Sequence, residues 1–136
     1  MATDRRAEVT WNGSLMDGSG RIEGGEELTW KSRTGEAAGT SPEDLIAAAH
    51  AACFAMALSH GLAQAGTPAD EVKTSATVTF QPGQGITKIA LTVDGRVPGI
   101  DEAAFRQAAE GAKENCPVSK ALAGVPEITL DARFQG

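Results

Sequence analysis

The sequence predicts an α+β fold in which an antiparallel sheet packs on a long, buried central helix. Three observations lead to this prediction. The stretch TSPEDLIAAAHAACFAMALSHGLAQAG, residues 40–66, combines helix start and stop signals with very few charged residues. Segments with strand patterns flank it on both sides, and residues 81–85 read as a turn that joins two of them. Strands and helices are segregated along the chain, which is typical of α+β folds.

Three strands are predicted before the helix. Residues 5–12 alternate weakly between polar and apolar, and residues 21–23 and 27–31 follow glycine-rich turns. Residues 32–40 are mostly small and predict a loop that carries Arg33.

The central helix has clear local boundaries. Ser41 and Asp44 form a Ser-x-x-Asp capping box, and Pro42 suits the first turn. Gly66 and the Thr-Pro pair that follows it stop the helix, which is roughly 36 Å long at 1.5 Å per residue. Residues 45–58 carry no charge, so the helix needs apolar cover on every side.

One sheet can cover only one flank of such a helix. We therefore expect an intertwined homodimer with the two long helices side by side in its core. The alanines that permit this close approach are those at positions 47, 48, 51, 52 and 55.

The remaining elements follow in order after the helix. They are a hairpin of strands over residues 72–80 and 86–97, an amphipathic helix over 103–113 capped by Asp101, a short helix to Leu122, and a strand over 127–134.

Length and composition limit the functional classes. The 136 residues predict one domain, 1–136, with a net charge of −6 and no basic run, which argues against a nucleic acid or an anionic membrane as partner. The N-terminus MATDRRAEVT has no apolar segment typical of a signal peptide. The uncharged run of about 14 residues in the helix is too short to span a bilayer. We expect a cytoplasmic protein.

Cys53 and Cys116 are the two cysteines of the chain. An apolar helix interior raises the pKa of a thiol, so Cys53 is an inert core thiol unless a cation from elsewhere acts on it. Cys116 precedes Pro117 at a helix start, where unpaired N–H groups lower a thiol pKa. The two cysteines can therefore be two inert thiols, a redox pair or part of a metal site. A lasting disulfide between them is not expected in a reducing cytosol.

Other side chains on the helix have structural as well as functional interpretations. His50, Cys53 and His60 lie along roughly one stripe, which suggests a metal site, but three ligands on one helix rarely suit a tetrahedral ion. His50 is otherwise a core histidine and His60 a helix-end residue near water. Glu43 in the first turn is simplest to explain as a carboxylate that complements the helix dipole.

Two motifs together resemble the OsmC/Ohr family of organic hydroperoxide reductases. They are SPEDLIAAAHAACF at residues 41–54 and NCPVS at residues 115–119. The segments ITKI at 86–89 and VPGID at 97–101 are similar to the OsmC branch, and Trp11 and ITLD at 128–131 extend the resemblance over nearly the whole chain.

The resemblance implies a cysteine-based peroxidase with peroxiredoxin-like, antioxidant activity. Cys53 then corresponds to the peroxidatic cysteine and Cys116 to the resolving one, while Glu43 holds a catalytic arginine over the thiolate. The OsmC-type arginine lies in the loop before the helix, where this chain has Arg33, so Arg33 is preferred and Arg21 of the N-terminal hairpin is the reserve. An external dithiol, often a lipoyl group in the family, reduces the disulfide, and no metal, flavin or haem is implied.

Helix geometry adds one prediction to the resemblance. Glu43 and Cys53 are ten residues apart, or about 15 Å along a straight helix, which is too far for one guanidinium to contact both. Glu43 is therefore expected to come from the other subunit. The rival functional classes are a metal-binding regulator that uses His50, Cys53 and His60, and a non-enzymatic stress protein with inert thiols.

Overall fold

A computed structural model of the protein describes residues 4–136. The chain forms two compact units, a first that ends at Leu45 and a second that runs from Ile46 to Gly136. The predicted single domain, 1–136, stays a prediction. The prediction that no signal peptide is present depends partly on residues 1–3, which lie outside the described residues.

The first unit contains a small antiparallel sheet of three strands, β1 (Val9–Asn12), β2 (Ser19–Ile22) and β3 (Glu27–Thr29). Trp11 of β1 is paired with Gly20 of β2, and any Cβ at position 20 would collide with the indole ring. Glycine is therefore required at this point of the hairpin, because the ring lies directly over the backbone.

A short helix, α1 (Trp30–Thr34), follows β3 directly. The predictions that the third strand continues to Lys31 and that Arg33 lies in a loop are wrong. Thr29 and Ser32 form a reciprocal capping box, and Gly35 ends the helix with a positive φ of 85°. Local capping outweighs the strand pattern of this segment, because each cap provides partners for free backbone groups.

The long helix α2 extends over Pro42–Gln64, as the sequence predicts. The capping box at its start is confirmed, since the Ser41 hydroxyl accepts from the Asp44 N–H and the Asp44 carboxylate accepts from the Ser41 N–H, each at 3.0 Å.

The second unit contains the other sheet, which consists of β4 (Glu71–Gln81), β5 (Gly85–Arg96) and β6 (Glu127–Phe134). β4 and β5 form the predicted antiparallel hairpin. β6 runs parallel to β5, so the prediction of an antiparallel sheet is wrong for this strand. Helices α3 (Glu102–Asn115) and α4 (Pro117–Ala121) lie between β5 and β6 in the chain. They form a crossover that returns the chain in the same direction.

The core of the second unit is built by one face of α2, by β5 and by α3. Its fully or nearly fully buried members include Phe54, Leu58, Leu62, Leu91, Val93, Val97, Phe105 and Ala109. Gly95 of β5 lies under the ring of Phe105, where any side chain would overlap it. This absence of a side chain lets α3 approach the sheet closely.

Helix α2 is only partly covered within one chain, as expected for a helix that its own sheet can cover on one flank only. Ala48, Ala49, Ala52 and Met56 are exposed, with Met56 at 72%. The most apolar 18-residue window of α2 has a mean hydropathy of 1.6, so by length and composition the helix is long enough to cross a membrane. The length argument from the shorter uncharged run therefore does not hold for the whole helix. Core helices of soluble proteins have the same length and composition.

Candidate active site

The two cysteines meet in the second unit although 63 positions separate them. Cys53 lies in the middle of α2 and Cys116 between α3 and α4, and their sulfur atoms are 3.0 Å apart. Both thiols are free; Cys53 is partly exposed, whereas Cys116 is completely buried. A small molecule can thus approach Cys53, and Cys116 is placed to react with whatever forms there.

The surroundings of Cys53 oppose its ionisation. Burial raises the pKa of the Cys53 thiol, and the hydrogen bond with Cys116 raises it further. The backbone N–H of Val118 lowers it only in part. This raised pKa is consistent with the prediction that Cys53 stays an uncharged thiol unless a cation from elsewhere acts on it.

The surroundings of Cys116 favour its ionisation. Burial raises the pKa of Cys116, but its hydrogen bond with Cys53, the backbone and hydroxyl of Ser119 and the backbone of Val118 together lower it below its ordinary value. The backbone contribution has the direction that the helix start predicts. Of the two thiols, the accessible one is therefore the weaker acid.

Arg33 and Glu43 form a bidentate ion pair in the first unit. The Arg33 Nε donates to Glu43 Oε1 and the Arg33 Nη2 to Glu43 Oε2, each at 3.0 Å. Glu43 is buried, whereas the Arg33 side chain is about one-third exposed, at 32%. The Ser32 hydroxyl donates to the Thr40 carbonyl at 2.7 Å and ties α1 to the residues that precede α2. The local fold thus presents an oriented guanidinium with its charge partly accessible.

Arg21, the reserve assignment, has a different setting. Its Nη2 donates to Glu27 Oε2 at 2.9 Å, and both side chains are more than half exposed. An exposed pair of this kind is screened by water and holds its guanidinium less firmly than the pair with buried Glu43.

The stripe of His50, Cys53 and His60 does not form a ligand set. His50 is buried, and its Nε2 lies 2.7 Å from the Ser119 hydroxyl. His60 is exposed near water, as predicted, with its Nε2 3.5 Å from the Gln64 amide. Within residues 4–136, no three His, Cys, Asp or Glu side chains are grouped as they would be to hold a metal ion.

A mainly apolar cavity of about 310 Å³ lies in the first unit beside Arg33. Its lining residues are Val9, Trp11, Leu15, Ile22, Leu28, Thr29, Trp30, Arg33, Pro42 and Leu45. One charged group at the edge of an apolar cavity suits a ligand with a polar end and a hydrocarbon body.

The sequence alone does not single out Ser119. Its hydroxyl lies 2.7 Å from His50 Nε2 and helps to lower the pKa of Cys116. The only local signal is its position three residues after Cys116 in a predicted helix, which puts both side chains on one side of the turn. Its bond with His50 depends on a contact between residues 69 positions apart.

Comparisons with known proteins identify the family of the chain. Residues 34–131 match the model of the OsmC family, described as OsmC-like protein. The chain is 40% identical to Peroxiredoxin OsmC of Escherichia coli (strain K12) over 99% of both chains. It is 31% identical to the organic hydroperoxide resistance protein OhrB of Bacillus subtilis (strain 168) over 70% of this chain and 71% of that one. The crystal structure of an organic hydroperoxide resistance protein from Elizabethkingia anophelis is similar over 99% of this chain and all of its own, with a TM-score of 0.72 and 25% identity.

Proposed function

Since the chain belongs to the OsmC family, we propose that it is a cysteine-based peroxidase that reduces organic hydroperoxides to alcohols. The observation that carries this proposal is the pair of free thiols 3.0 Å apart, one accessible and one buried. An accessible thiol meets the peroxide, and a buried neighbour closes the disulfide before the first sulfur is oxidised further.

The reaction proceeds in three steps. The Cys53 thiolate attacks the O–O bond, an alcohol leaves and Cys53 becomes a sulfenic acid. Cys116 then displaces hydroxide from that sulfur, and a Cys53–Cys116 disulfide forms. An external dithiol, such as a lipoyl group, restores both thiols by exchange. Cysteine chemistry of this kind needs no bound cofactor.

Arg33, which is oriented by Glu43, supplies the positive charge that Cys53 lacks. The pKa of Cys53 is raised by its own surroundings, so its ionisation depends on a positive charge brought to it. The two hydrogen bonds to buried Glu43 orient the Arg33 guanidinium, which carries a permanent positive charge on a side chain that is about one-third exposed. This is why Arg33 is preferred over Arg21.

The site is proposed to be composite. Glu43 and Cys53 are ten residues apart on α2, or about 15 Å along the helix axis, and Arg33 is bound to Glu43. One guanidinium therefore cannot hold Glu43 and contact Cys53 of the same straight helix. In a two-fold homodimer with antiparallel α2 helices, each Arg33–Glu43 pair would serve the partner subunit's thiolate.

Exposed apolar side chains support this homodimer. Val9, Trp11, Leu15 and Met16 of the first unit are at least 40% exposed, and Met56 of α2 is 72% exposed. In each unit, exposed apolar side chains of this size are available for contact with a second copy of the chain. A second copy that covers the exposed face of α2 would also explain why this helix is apolar in a protein that we propose to be soluble and cytoplasmic. Neither a membrane nor a nucleic acid is then needed as a partner.

The cavity beside Arg33 favours organic substrates. A hydroperoxide would place its alkyl or aryl group among the apolar side chains and its oxygen atoms near the guanidinium. Burial of the hydrocarbon part stabilises the complex, whereas hydrogen peroxide has no such part.

Decay of cumene hydroperoxide in the presence of a dithiol tests the activity. Wild type should turn over, Cys53→Ser should be inactive, and Cys116→Ser should react about once per site before Cys53 is over-oxidised. Mass spectrometry should show the Cys53–Cys116 disulfide in wild type after peroxide. An intact count of free thiols would refute the mechanism, and stoichiometric zinc binding without peroxide decay would favour a metal-binding regulator.

A mixed dimer of Glu43→Ala and Cys53→Ser chains tests the composite site. One of its two sites regains both residues, so about half of wild-type activity should return. If both groups act within one chain, the mixed dimer stays as inactive as the single variants.

Paired variants test the arginine assignment. Arg33→Ala is expected to raise the pKa of Cys53 and slow its reaction with peroxide, because the thiolate loses its cation. Arg21→Ala is the matched control on an exposed pair. A shift in the Cys53 titration with Arg21→Ala alone would reverse the assignment.

A further inference from the structure

The hydrogen bond between His50 and Ser119 links the segments that carry the two reacting sulfurs. His50 lies three residues before Cys53 on α2, and Ser119 lies three residues after Cys116. The imidazole Nε2 and the Ser119 hydroxyl oxygen are 2.7 Å apart and buried. The bond thus holds α2 against α4 beside the point where the sulfur atoms are 3.0 Å apart.

The Ser119 hydroxyl has two possible acceptors for its single proton, His50 Nε2 and the Cys116 sulfur. If the imidazole proton is on Nδ1, the hydroxyl donates to Nε2, and Cys116 receives nothing from it. If the proton is on Nε2, the imidazole donates to the hydroxyl oxygen, and the hydroxyl donates to the sulfur. The tautomer of His50 therefore decides whether Ser119 stabilises a thiolate.

The burial of His50 favours the second arrangement. Burial lowers the pKa of His50, so the imidazole is neutral and carries one proton. Nδ1 is buried and has no hydrogen-bond partner among the residues the structure describes. A proton on Nδ1 would leave a buried donor unpaired and take the hydroxyl away from Cys116. A proton on Nε2 satisfies that nitrogen, the hydroxyl and the sulfur together.

From this geometry we propose that His50 Nε2–H, the Ser119 hydroxyl and the Cys116 sulfur form a donor chain that prepares Cys116 for attack on oxidised Cys53. The proposal rests on the peroxidase function above. In this proposal Ser119 is a catalytic residue because its hydroxyl donates to a reacting sulfur, and His50 is a positioning residue that acts through Ser119.

The donor chain acts in the step that closes the disulfide. The Cys116 thiolate attacks the sulfenic sulfur of Cys53, an S–S bond forms and the S–O bond breaks. The electron pair of the broken bond leaves with hydroxide, which takes up a proton to become water and so balances the proton that Cys116 lost. Cys116 is oxidised and the sulfenic sulfur is reduced, with the hydroperoxide as the original oxidant.

The first experiment compares disulfide closure with peroxide consumption in a single turnover with cumene hydroperoxide. Ser119→Ala should slow closure at least about tenfold, because it removes the hydroxyl that donates to the charged sulfur, and His50→Leu should slow closure less, because it removes only the donor that orients this hydroxyl. More sulfinic acid should form on Cys53 at the same peroxide concentration, because slower closure leaves its sulfenic acid in contact with peroxide for longer.

Conservative variants separate positioning from packing. His50→Gln keeps an N–H donor near the place of Nε2 and should restore closure to near the wild-type rate. His60→Leu, an exposed histidine of the same helix, is the matched control and should change nothing. If folded His50→Gln is as slow as His50→Leu, or folded Ser119→Ala closes at the wild-type rate, the proposal is wrong. Should His50→Leu fail to fold, Ser119→Ala still decides, since it deletes only a hydroxyl.

The second experiment does not depend on peroxidase activity. In a Cys53→Ser background Cys116 is the only thiol, and its thiolate is titrated by ultraviolet absorbance. Adding Ser119→Ala should raise the pKa of Cys116, and adding His60→Leu should not. The charged side chains beside Ser119 are Lys113, Glu114 and Lys120, which line the same shallow cavity and are unchanged in every variant.

The two experiments fail in different ways. If wild type consumes no hydroperoxide but the titration shifts as expected, the proposed function fails and the donor chain stands as a property of Cys116. An unchanged titration in an active peroxidase refutes the donor chain alone.

Discussion

The two faces of helix α2 carry similar residues but have different surroundings. On one face His50, Phe54 and Leu58 are buried against the second unit, and on the opposite face Ala48, Ala52 and Met56 are exposed. Because the helix is apolar all round, its sequence does not tell which face belongs to the protomer core. In the proposed homodimer, this exposed apolar face would be covered by a second copy of the chain.

The largest expected effect is on the buried face. Phe54→Ala should reduce the free energy of unfolding by about 3–5 kcal/mol, because the ring is completely buried in the core. Met56→Ala is the matched control two positions away and should cost within about 0.5 kcal/mol in the isolated protomer. Urea denaturation at several protein concentrations measures both. An equal loss in the two variants at high dilution would contradict the difference between the faces.

A charge on the exposed face should affect assembly rather than folding. Ala52→Glu would bury an unpaired carboxylate between the two helices and should weaken the dimer by about a hundredfold or more. Peroxidase activity should fall with dissociation if the site is composite. Sedimentation velocity and circular dichroism separate the two effects. A stable, folded wild-type monomer at micromolar concentration would refute the dimer.

The smallest effect is the pH dependence contributed by His50. Burial lowers the pKa of His50 below its ordinary value of 6.5 in the folded chain. Below pH 6.5 the unfolded chain therefore takes up a proton that the folded chain does not, and stability falls as the pH falls. This contribution is complete above that pH, and its slope is at most about 1.4 kcal/mol per pH unit.

Denaturation of His50→Gln across this pH range measures the contribution. The variant should lose this part of the acid slope, whereas His60→Gln leaves His50 and its slope in place. An unchanged slope in His50→Gln would show that His50 does not titrate differently in the folded and unfolded chains.

Elements with strong local signals are predictable from this sequence. The capping box of Ser41 and Asp44, the hairpin of β4 and β5, and the cap of α3 at Asp101 are confirmed. The short helix α1 is missed although Thr29 and Ser32 cap it, because five residues give no periodicity to recognise.

The sequence alone determined where α2 begins, where the hairpin turns and that the helix start lowers the pKa of Cys116. Each of these features depends on neighbouring residues and their backbone groups. Only the tertiary structure decided which face of α2 is buried and that β6 runs parallel to β5. It also decided that Ser119 meets His50 and that the two sulfurs are 3.0 Å apart. These features join residues that are distant in the chain, so their free energies depend on surfaces that exist only after folding.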